Sequence, residues 1–377
     1  MRIAVPKEIR SGEKRVALVP DIISKLTKSG HQVVIESGAG VAAEYSDKQF
    51  IEAGAEVKSG DVLAGSDVIL SVQPLTPSQI KSLKKGALTL SFLSQATAAD
   101  SIEAAVSNSI TALSLELVPR ISRAQSMDAL TSQALCAGYK AALIAAELSP
   151  KFFPLLMTAA GTVTPAKVLV LGAGVAGLQA IATTKRLGAV VSAYDVRPSS
   201  ADEVKSMGAK FISLELEALE GAGGYAREMT EERAAKQRDL LTPYIAAADV
   251  LITTAAVPGR TAPRLVTAAM VSQMAPGSVV VDLASESGGN VEGSVAGEIV
   301  TTSNGIKIWG GKDVPSQLAY HASMLFSRNV VNLLLLMNKS VDGKATGQIE
   351  PDFSDEIIDS ATLTHNGVKR EKANSGK

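Results

Sequence analysis

The residues with the clearest chemical meaning are Gly172, Gly174 and Gly177, which sit between the apolar run Lys167–Leu171 and a helix-type stretch. A glycine at the first position permits a tight turn. One at the second lets a backbone approach a pyrophosphate, and one at the third lets helix and strand pack closely. The spacers Ala173, Val175 and Ala176 complete the loop. The helix start then offers unpaired N–H groups and a positive dipole end to an anion. Beyond Leu187-Gly188 a second strand is expected at Val190–Tyr194, and Asp195 ends it, 18 residues after Gly177. An acid there accepts hydrogen bonds from ribose hydroxyls and repels a 2′-phosphate, which favours NAD(H) over NADP(H). Val196 and Arg197 follow in the same turn. An arginine at such a place can accept a 2′-phosphate, but Arg197 is read as a solvated neighbour.

Later segments add to this crevice. Asp249–Ala255, with Thr254 and Ala255 at its end, and Ser278–Ala284 finish in small residues at strand C-termini, where ligands of α/β sheets lie. Residues 217–237 are charged, hold Gly221, Gly223 and Gly224, and carry Tyr225 as their bulky aromatic. They are expected to form a mobile flap.

Elements positioning these residues can be read from hydrophobic pattern. Strand-type runs fall at Arg2–Val5, Gln32–Glu36, Asp67–Ser71, Ala87–Leu93 and Ile110–Leu115. Helix-type stretches at Asp21–Ser29, Ser46–Ala53, Pro77–Leu83 and Ser101–Ser107 alternate with them. Such alternation implies right-handed βαβ units on a parallel sheet. A polar loop, Arg120–Asp128, precedes a long alanine- and leucine-rich helix, Ala129–Leu148. A second alternation runs from Lys167 to Trp309, and Ser316–Asn338 is helical in pattern again. The expected fold is α/β: two Rossmann-like, doubly wound parallel-sheet domains joined by two long helices, with a cleft between them. Residues 1–129 and 316–377 would form the first domain and 130–315 the second. After Lys339 the tail is polar, with a turn at Asp342–Gly347, a short edge element in Asp355–Thr364 and disorder over Lys369–Lys377.

Composition narrows the function classes. A length of 377 residues allows two or three domains, and a net charge of −1 leaves no basic excess for a nucleic-acid backbone. Cys136 is the single cysteine, in an apolar context, and His31, His321 and His365 are too dispersed for a metal motif. The N-terminus reads straight into a strand without the pattern of a signal peptide, and no run of about 18 apolar residues exists to span a bilayer. A cytoplasmic chain is expected, held at a membrane only by partners.

Several motifs together resemble a known family. Met1-Arg-Ile-Ala-Val-Pro-Lys-Glu8, Arg15–Pro20, Arg120-Ile-Ser-Arg-Ala-Gln-Ser-Met-Asp128, Met157–Thr162 and Gly223–Met229 look like the soluble NAD(H)-binding component, domain I of the alpha subunit, of proton-translocating (Re/Si-specific) nicotinamide nucleotide transhydrogenases. The likeness covers roughly residues 1–338, and the opening motifs are shared with alanine dehydrogenase, the alternative reading. Alanine dehydrogenases use a lysine and a histidine on their substrate; by motif those positions are Gln73 and Ser94 here. A glutamine cannot serve as the base that amine oxidation needs, and an unassisted serine serves poorly.

The transhydrogenase resemblance implies direct hydride transfer between NADH on this chain and NADP(H) on a partner subunit, with membrane subunits translocating protons. By resemblance, Arg120 contacts the nucleotide, Asp128 fixes Arg120 and Gln125 reaches the partner's nucleotide. Thr131 supplies a hydroxyl to the carboxamide, Tyr225 closes the flap, and Glu286 is the acid near the nicotinamide. The resemblance also implies a homodimer seated on a membrane-embedded proton-channel subunit through its partners, without nucleic acid.

Overall fold

The computed structural model describes residues 1–216, 230–256, 261–341 and 344–370. The chain divides into two compact units: Met1–Gln133 with Ser316–Lys377, and Ala134–Pro315.

In the first unit the order is β1 (Arg2–Val5), α1 (Pro20–Lys28), β2 (Gln32–Glu36), α2 (Asp47–Glu52), β3 (Glu56–Lys58), β4 (Val68–Leu70), α3 (Pro77–Ser82), β5 (Leu88–Ser91), α4 (Ala99–Ser107) and β6 (Thr111–Ser114). These six strands pair in parallel. Every residue of β4, β5 and β6 is buried, as expected where helices cover both faces of a sheet. Helix starts follow local chemistry: Ser46 with Gln49, and Thr76 with Gln79, form reciprocal capping boxes at α2 and α3. β3 has no apolar run to announce it; it is a three-residue edge strand, half exposed. The unit boundary falls inside α5 (Ala129–Leu148).

The second unit continues with a hairpin, β7 (Leu156–Thr158) and β8 (Gly161–Val163), then β9 (Lys167–Leu171), α6 (Val175–Arg186), β10 (Val190–Tyr194), α7 (Ser200–Ser206), β11 (Lys210–Phe211), α8 (Glu231–Ala246), β12 (Val250–Thr253), α9 (Ala268–Val271), β13 (Val279–Asp282), β14 (Ile299–Thr301) and β15 (Lys307–Gly310). Its sheet runs β11-β10-β9-β12-β13-β15-β14 and is parallel except for β14. Of the stretch expected to be a flap, residues 217–229 lie outside the described residues, Tyr225 among them. Glu231–Gln237 are not flap but the first turns of α8, started by the Thr230 hydroxyl, which accepts from the Arg233 N–H.

The chain then returns to the first unit as α10 (Ala319–Leu336), preceded by a short 3-10 turn through Pro315. Phe326, Val330, Val331, Leu333 and Leu334 are fully buried against Ile3, Leu18 and Phe50. The tail corrects the sequence reading. Of the expected turn at Asp342–Gly347, residues 342 and 343 lie outside the described residues, and the rest is strand: β16 (Asn338–Val341) pairs with β17 (Lys344–Ile349). The segment read as one edge element is α11 (Glu356–Ala361) followed by β18 (Thr362–His365), which pairs antiparallel with β6 and is edged by β19 (Val368–Lys369). Sparse apolar residues hide this pattern, yet Ile349, Ile357, Ile358 and Leu363 are all buried. Lys369 is thus in a strand, while residues 371–377 lie outside the described residues.

Candidate functional site

In the second unit the chain passes from β9 outward to β10 and β11, then crosses to β12 on the other side of β9. This reversal leaves a crevice at the carboxyl ends of β9 and β12, the place where doubly wound sheets take ligands. The glycine loop follows β9 and Thr254-Ala255 follows β12, so both flank it.

Gly172 has φ +97°, and a Cβ there would meet the Thr254 hydroxyl at 2.7 Å. That hydroxyl donates to the Gly172 carbonyl at 3.0 Å, tying the two loops together. A Cβ on Gly177 would stand 1.8 Å from the Gly172 carbonyl oxygen, so only glycine lets α6 leave the loop at this angle. Gly138 on α5 allows a similar approach, because a Cβ there would lie 2.0 Å from the Ala176 oxygen. Its place in an alanine-rich helix gave no sequence signal of this contact. Gly174 differs: among the described residues no atom lies within 4 Å of a Cβ built on it. The first-turn N–H groups at Val175, Ala176 and Gly177 have no intrahelical acceptor. An open position beside the first-turn N–H groups of a helix fits a pyrophosphate.

Asp195, at the end of β10, is tied to the same loop: its Oδ2 accepts from the Ala173 N–H at 2.7 Å. Arg197 is not the solvated neighbour expected from the sequence. Its Nε donates to Asp195 Oδ1 at 2.9 Å and its Nη2 to Oδ2 at 3.1 Å, with both side chains largely buried. A two-residue spacing across a turn brings guanidinium and carboxylate together, which linear pattern does not reveal. Val196 packs partly buried against the core beside Tyr194. The Tyr194 phenol is pushed up to about 12, chiefly by burial, and so stays protonated.

Two residues missed in the sequence hold the β12 and β13 ends. Asn290 is fully buried; its amide donates to the Ala255 and Pro263 carbonyls and its Oδ1 accepts from the Ala255 N–H. Asp282, also fully buried, accepts from the Thr253 hydroxyl and from the N–H groups of Ala284 and Val291. Glu286 is exposed on the turn after β13, and its carboxylate accepts from the Asp313 N–H at 2.9 Å. Asp313 holds an unusual φ of +45°.

The remaining site candidates lie in the first unit or at its edge. Residues Ser122–Met127 form a 3-10 turn rather than an open loop, because Ala124 and Met127 are buried beneath it. Arg120 and Gln125 are exposed. Asp128 caps α5: its carboxylate accepts from the Thr131 N–H at 2.8 Å and from the Thr131 hydroxyl at 2.7 Å. That bond uses the hydroxyl's hydrogen and leaves its oxygen able to accept. Asn329 and Asn332 of α10 both donate to the Ser126 carbonyl, and Arg123 makes a two-pronged pair with Asp355 from the tail. These supports come from about 200 residues away in sequence, beyond any local motif.

Gln73 and Ser94 also have defined roles. The Gln73 amide donates to Glu13 at 2.7 Å and accepts from Arg10 at 2.9 Å. Ser94 is a turn residue whose hydroxyl accepts from the Ala96 N–H. Burial raises the Glu13 carboxyl, but the bonds and charge of Arg15 outweigh it and hold the group down at about 2. Burial dominates at Glu8 instead, with Glu13's charge adding, and lifts its carboxyl to about 7. Glu8 accepts from the Val72 and Gln73 N–H groups. Among the described residues no cluster of His, Cys, Asp and Glu is placed to hold a metal.

Comparison with known proteins fits this geometry. Residues 4–137 match the N-terminal domain of "alanine dehydrogenase/PNT", and residues 141–372 match its C-terminal domain. The chain belongs to the alanine dehydrogenase/PNT family. Within that family it is 46% identical to an NAD(P) transhydrogenase alpha-subunit chain of Rhodospirillum rubrum, over 98% of this chain and 97% of that one. It is 32% identical to the alanine dehydrogenase of Bacillus subtilis, over 78% of this chain and 72% of that one. A crystal structure of a transhydrogenase from Sinorhizobium meliloti superposes with a TM-score of 0.89 at 41% identity, covering 98% of this chain and all of that one. The family shares the two α/β domains with parallel-dominated sheets described above.

Proposed function

We propose that the chain is the NAD(H)-binding component of a proton-translocating transhydrogenase, active only with its partner subunits. The observation that carries the choice between the family's two named chemistries is the state of positions 73 and 94. Gln73 is a neutral amide spent on Glu13 and Arg10, and Ser94 is a turn residue. Neither offers the cation and base that oxidation of an amino acid requires. Transfer of hydride between two nicotinamides needs no such base. It needs two rings brought close, oriented and kept from water.

The residues of the second unit would seat NAD(H) as follows. Gly174, Val175, Ala176 and Gly177 receive the pyrophosphate, with Gly172 and Ala173 shaping the turn. Asp195 and Val196, beside Arg197, receive the adenosine ribose, and the Asp195 charge favours the unphosphorylated sugar. Thr254, Ala255 and Glu286 border the nicotinamide side. When bound, the nicotinamide supplies the hydride at its C4. Arg120 contacts the nucleotide, Asp128 steadies that loop, Thr131 offers a hydroxyl to the carboxamide, and Gln125 reaches toward NADP(H) on the partner. Tyr225, outside the described residues, completes the set. Residues 1–129 with 316–377 and residues 130–315 are the proposed functional domains.

A homodimer belongs to the same reading. The β7–β8 hairpin is exposed and, among the described residues, pairs with no other strand; Met157 is 80% exposed, with Phe152 and Leu155 nearby at 60% and 56%. A lone hairpin with apolar side chains in water is poorly stable by itself, and a second copy would cover it. No helix of the described residues is long and apolar enough to cross a membrane. The place that goes with this reading is the cytoplasmic face, beside a membrane-embedded proton-channel subunit and an NADP(H)-binding subunit. The test is to mix the purified chain with an NADP(H)-binding transhydrogenase subunit, supply NADH and an oxidised NADP analogue, and follow the reduced analogue. Reduction that requires both proteins is expected. NAD reduction by the chain alone with L-alanine would refute the proposal.

A further inference from the structure

Both acceptor oxygens of Asp195 are engaged within the protein itself. Oδ1 accepts from the Arg197 backbone N–H and from Arg197 Nε, each at 2.9 Å. Oδ2 accepts from the Ala173 N–H at 2.7 Å and from Arg197 Nη2 at 3.1 Å. An ionised carboxylate offers about four lone-pair sites, so these donors fill it. A ribose diol can donate to this carboxylate only if a donor leaves. The Ala173 and Arg197 N–H groups are main chain, fixed by the glycine loop and by the turn after β10. The other two belong to one guanidinium on a flexible stem, and that stem can swing away.

We propose that Arg197 is a specificity-determining residue: its guanidinium occupies the sugar acceptor and is displaced by an unphosphorylated ribose diol. The proposal rests on the seating of NAD(H) at the glycine loop given above. A 2′-phosphorylated ribose brings one hydroxyl donor fewer and added negative charge, so it displaces the guanidinium poorly and meets the carboxylate's own charge. Two consequences follow from the geometry. Arg197 competes with NADH for Asp195, so its loss tightens NADH. Asp195 engages the Arg197 fork, so neutralising Asp195 leaves that fork better able to pair with a phosphate.

The experiment titrates the full chain with NADH and with NADPH at one fixed ionic strength, following nucleotide fluorescence. The variants are Arg197→Met, which keeps the apolar stem, Arg197→Lys, which keeps the charge without the fork, and Asp195→Asn. Arg197→Met should tighten NADH by about threefold to tenfold, the net scale of one hydrogen-bonded partner, with NADPH still weak. Arg197→Lys should fall between it and the parent. Asp195→Asn should weaken NADH by about tenfold and bring NADPH to within about tenfold of it. Unchanged or weaker NADH binding by Arg197→Met, in a variant that melts with the parent, would overturn the proposal. Failure of the parent to bind NADH at all would instead overturn the seating on which it rests.

Discussion

Gly174→Ala separates the ligand role of the glycine loop from its structural role. The residue sits at φ −77° and ψ −169°, a backbone conformation open to alanine. Among the described residues, a Cβ built there meets no atom within 4 Å. Removing glycine freedom from the unfolded chain favours folding by about 0.4–1 kcal/mol, and a poorer helix cap costs a comparable amount, about 0.5–1 kcal/mol. The variant should therefore melt within a few degrees of the parent. Binding should respond quite differently. The added methyl fills the open position beside the first-turn N–H groups of α6, where a pyrophosphate must come close. Each charge-assisted hydrogen bond lost costs about 1.5–3 kcal/mol. Pushing the phosphate off two donors costs about 3–6 kcal/mol, or about 10²- to 10⁴-fold in affinity. The assay is a pair of numbers per protein: melting temperature by circular dichroism and NADH dissociation constant by fluorescence titration. NADH binding within threefold of the parent, in a variant that folds normally, would show that the loop is not the phosphate cradle.

Three further outcomes are expected. Gly177→Ala forces a methyl to 1.8 Å from the Gly172 oxygen, so it should destabilise the protein by about 3 kcal/mol or more, in contrast to its neighbour at 174; an unchanged denaturation curve refutes the packing argument. Glu8, lifted to about 7 mainly by burial, is protonated in the folded chain where the unfolded chain has already ionised, so its contribution is fully present below about pH 4.5 and declines as pH rises through 7. Urea denaturation from pH 5 to pH 8 should show the parent losing about 2 kcal/mol relative to Glu8→Gln, and a constant difference across that range would contradict the sign. Gln125→Asn shortens an exposed side chain by one methylene, so NADH affinity should hold while single-turnover hydride transfer with the partner falls by up to about 100-fold; a parental transfer rate would remove Gln125 from the proposed face.

The crevice at the ends of β9 and β12 was largely legible in the sequence because its components are local. A strand, a glycine turn, a helix start and an acid at the next strand's end lie within one βαβ unit, where spacing translates directly into geometry. Gly172, Gly177 and Asp195 could be named without coordinates for that reason. The length of α5 and the apolar face of α10 were equally readable from periodicity. Other features depended on which distant segments meet. Asn290 pins the β12 end, Asp282 joins β12 to the turn after β13, and Gly138 admits the Ala176 carbonyl; no local pattern marks any of them. The tail looked polar because its few apolar residues are scattered, and pairing of β18 with β6 is what buries Leu363. Arg197 shows the same limit at the shortest range. Residue order alone puts an acid and an arginine in one turn. Their pairing with each other came only from the folded geometry. The direction of two side chains two residues apart is set by the turn's dihedrals and by the Ala173 N–H that fixes the carboxylate, and neither is encoded in spacing alone.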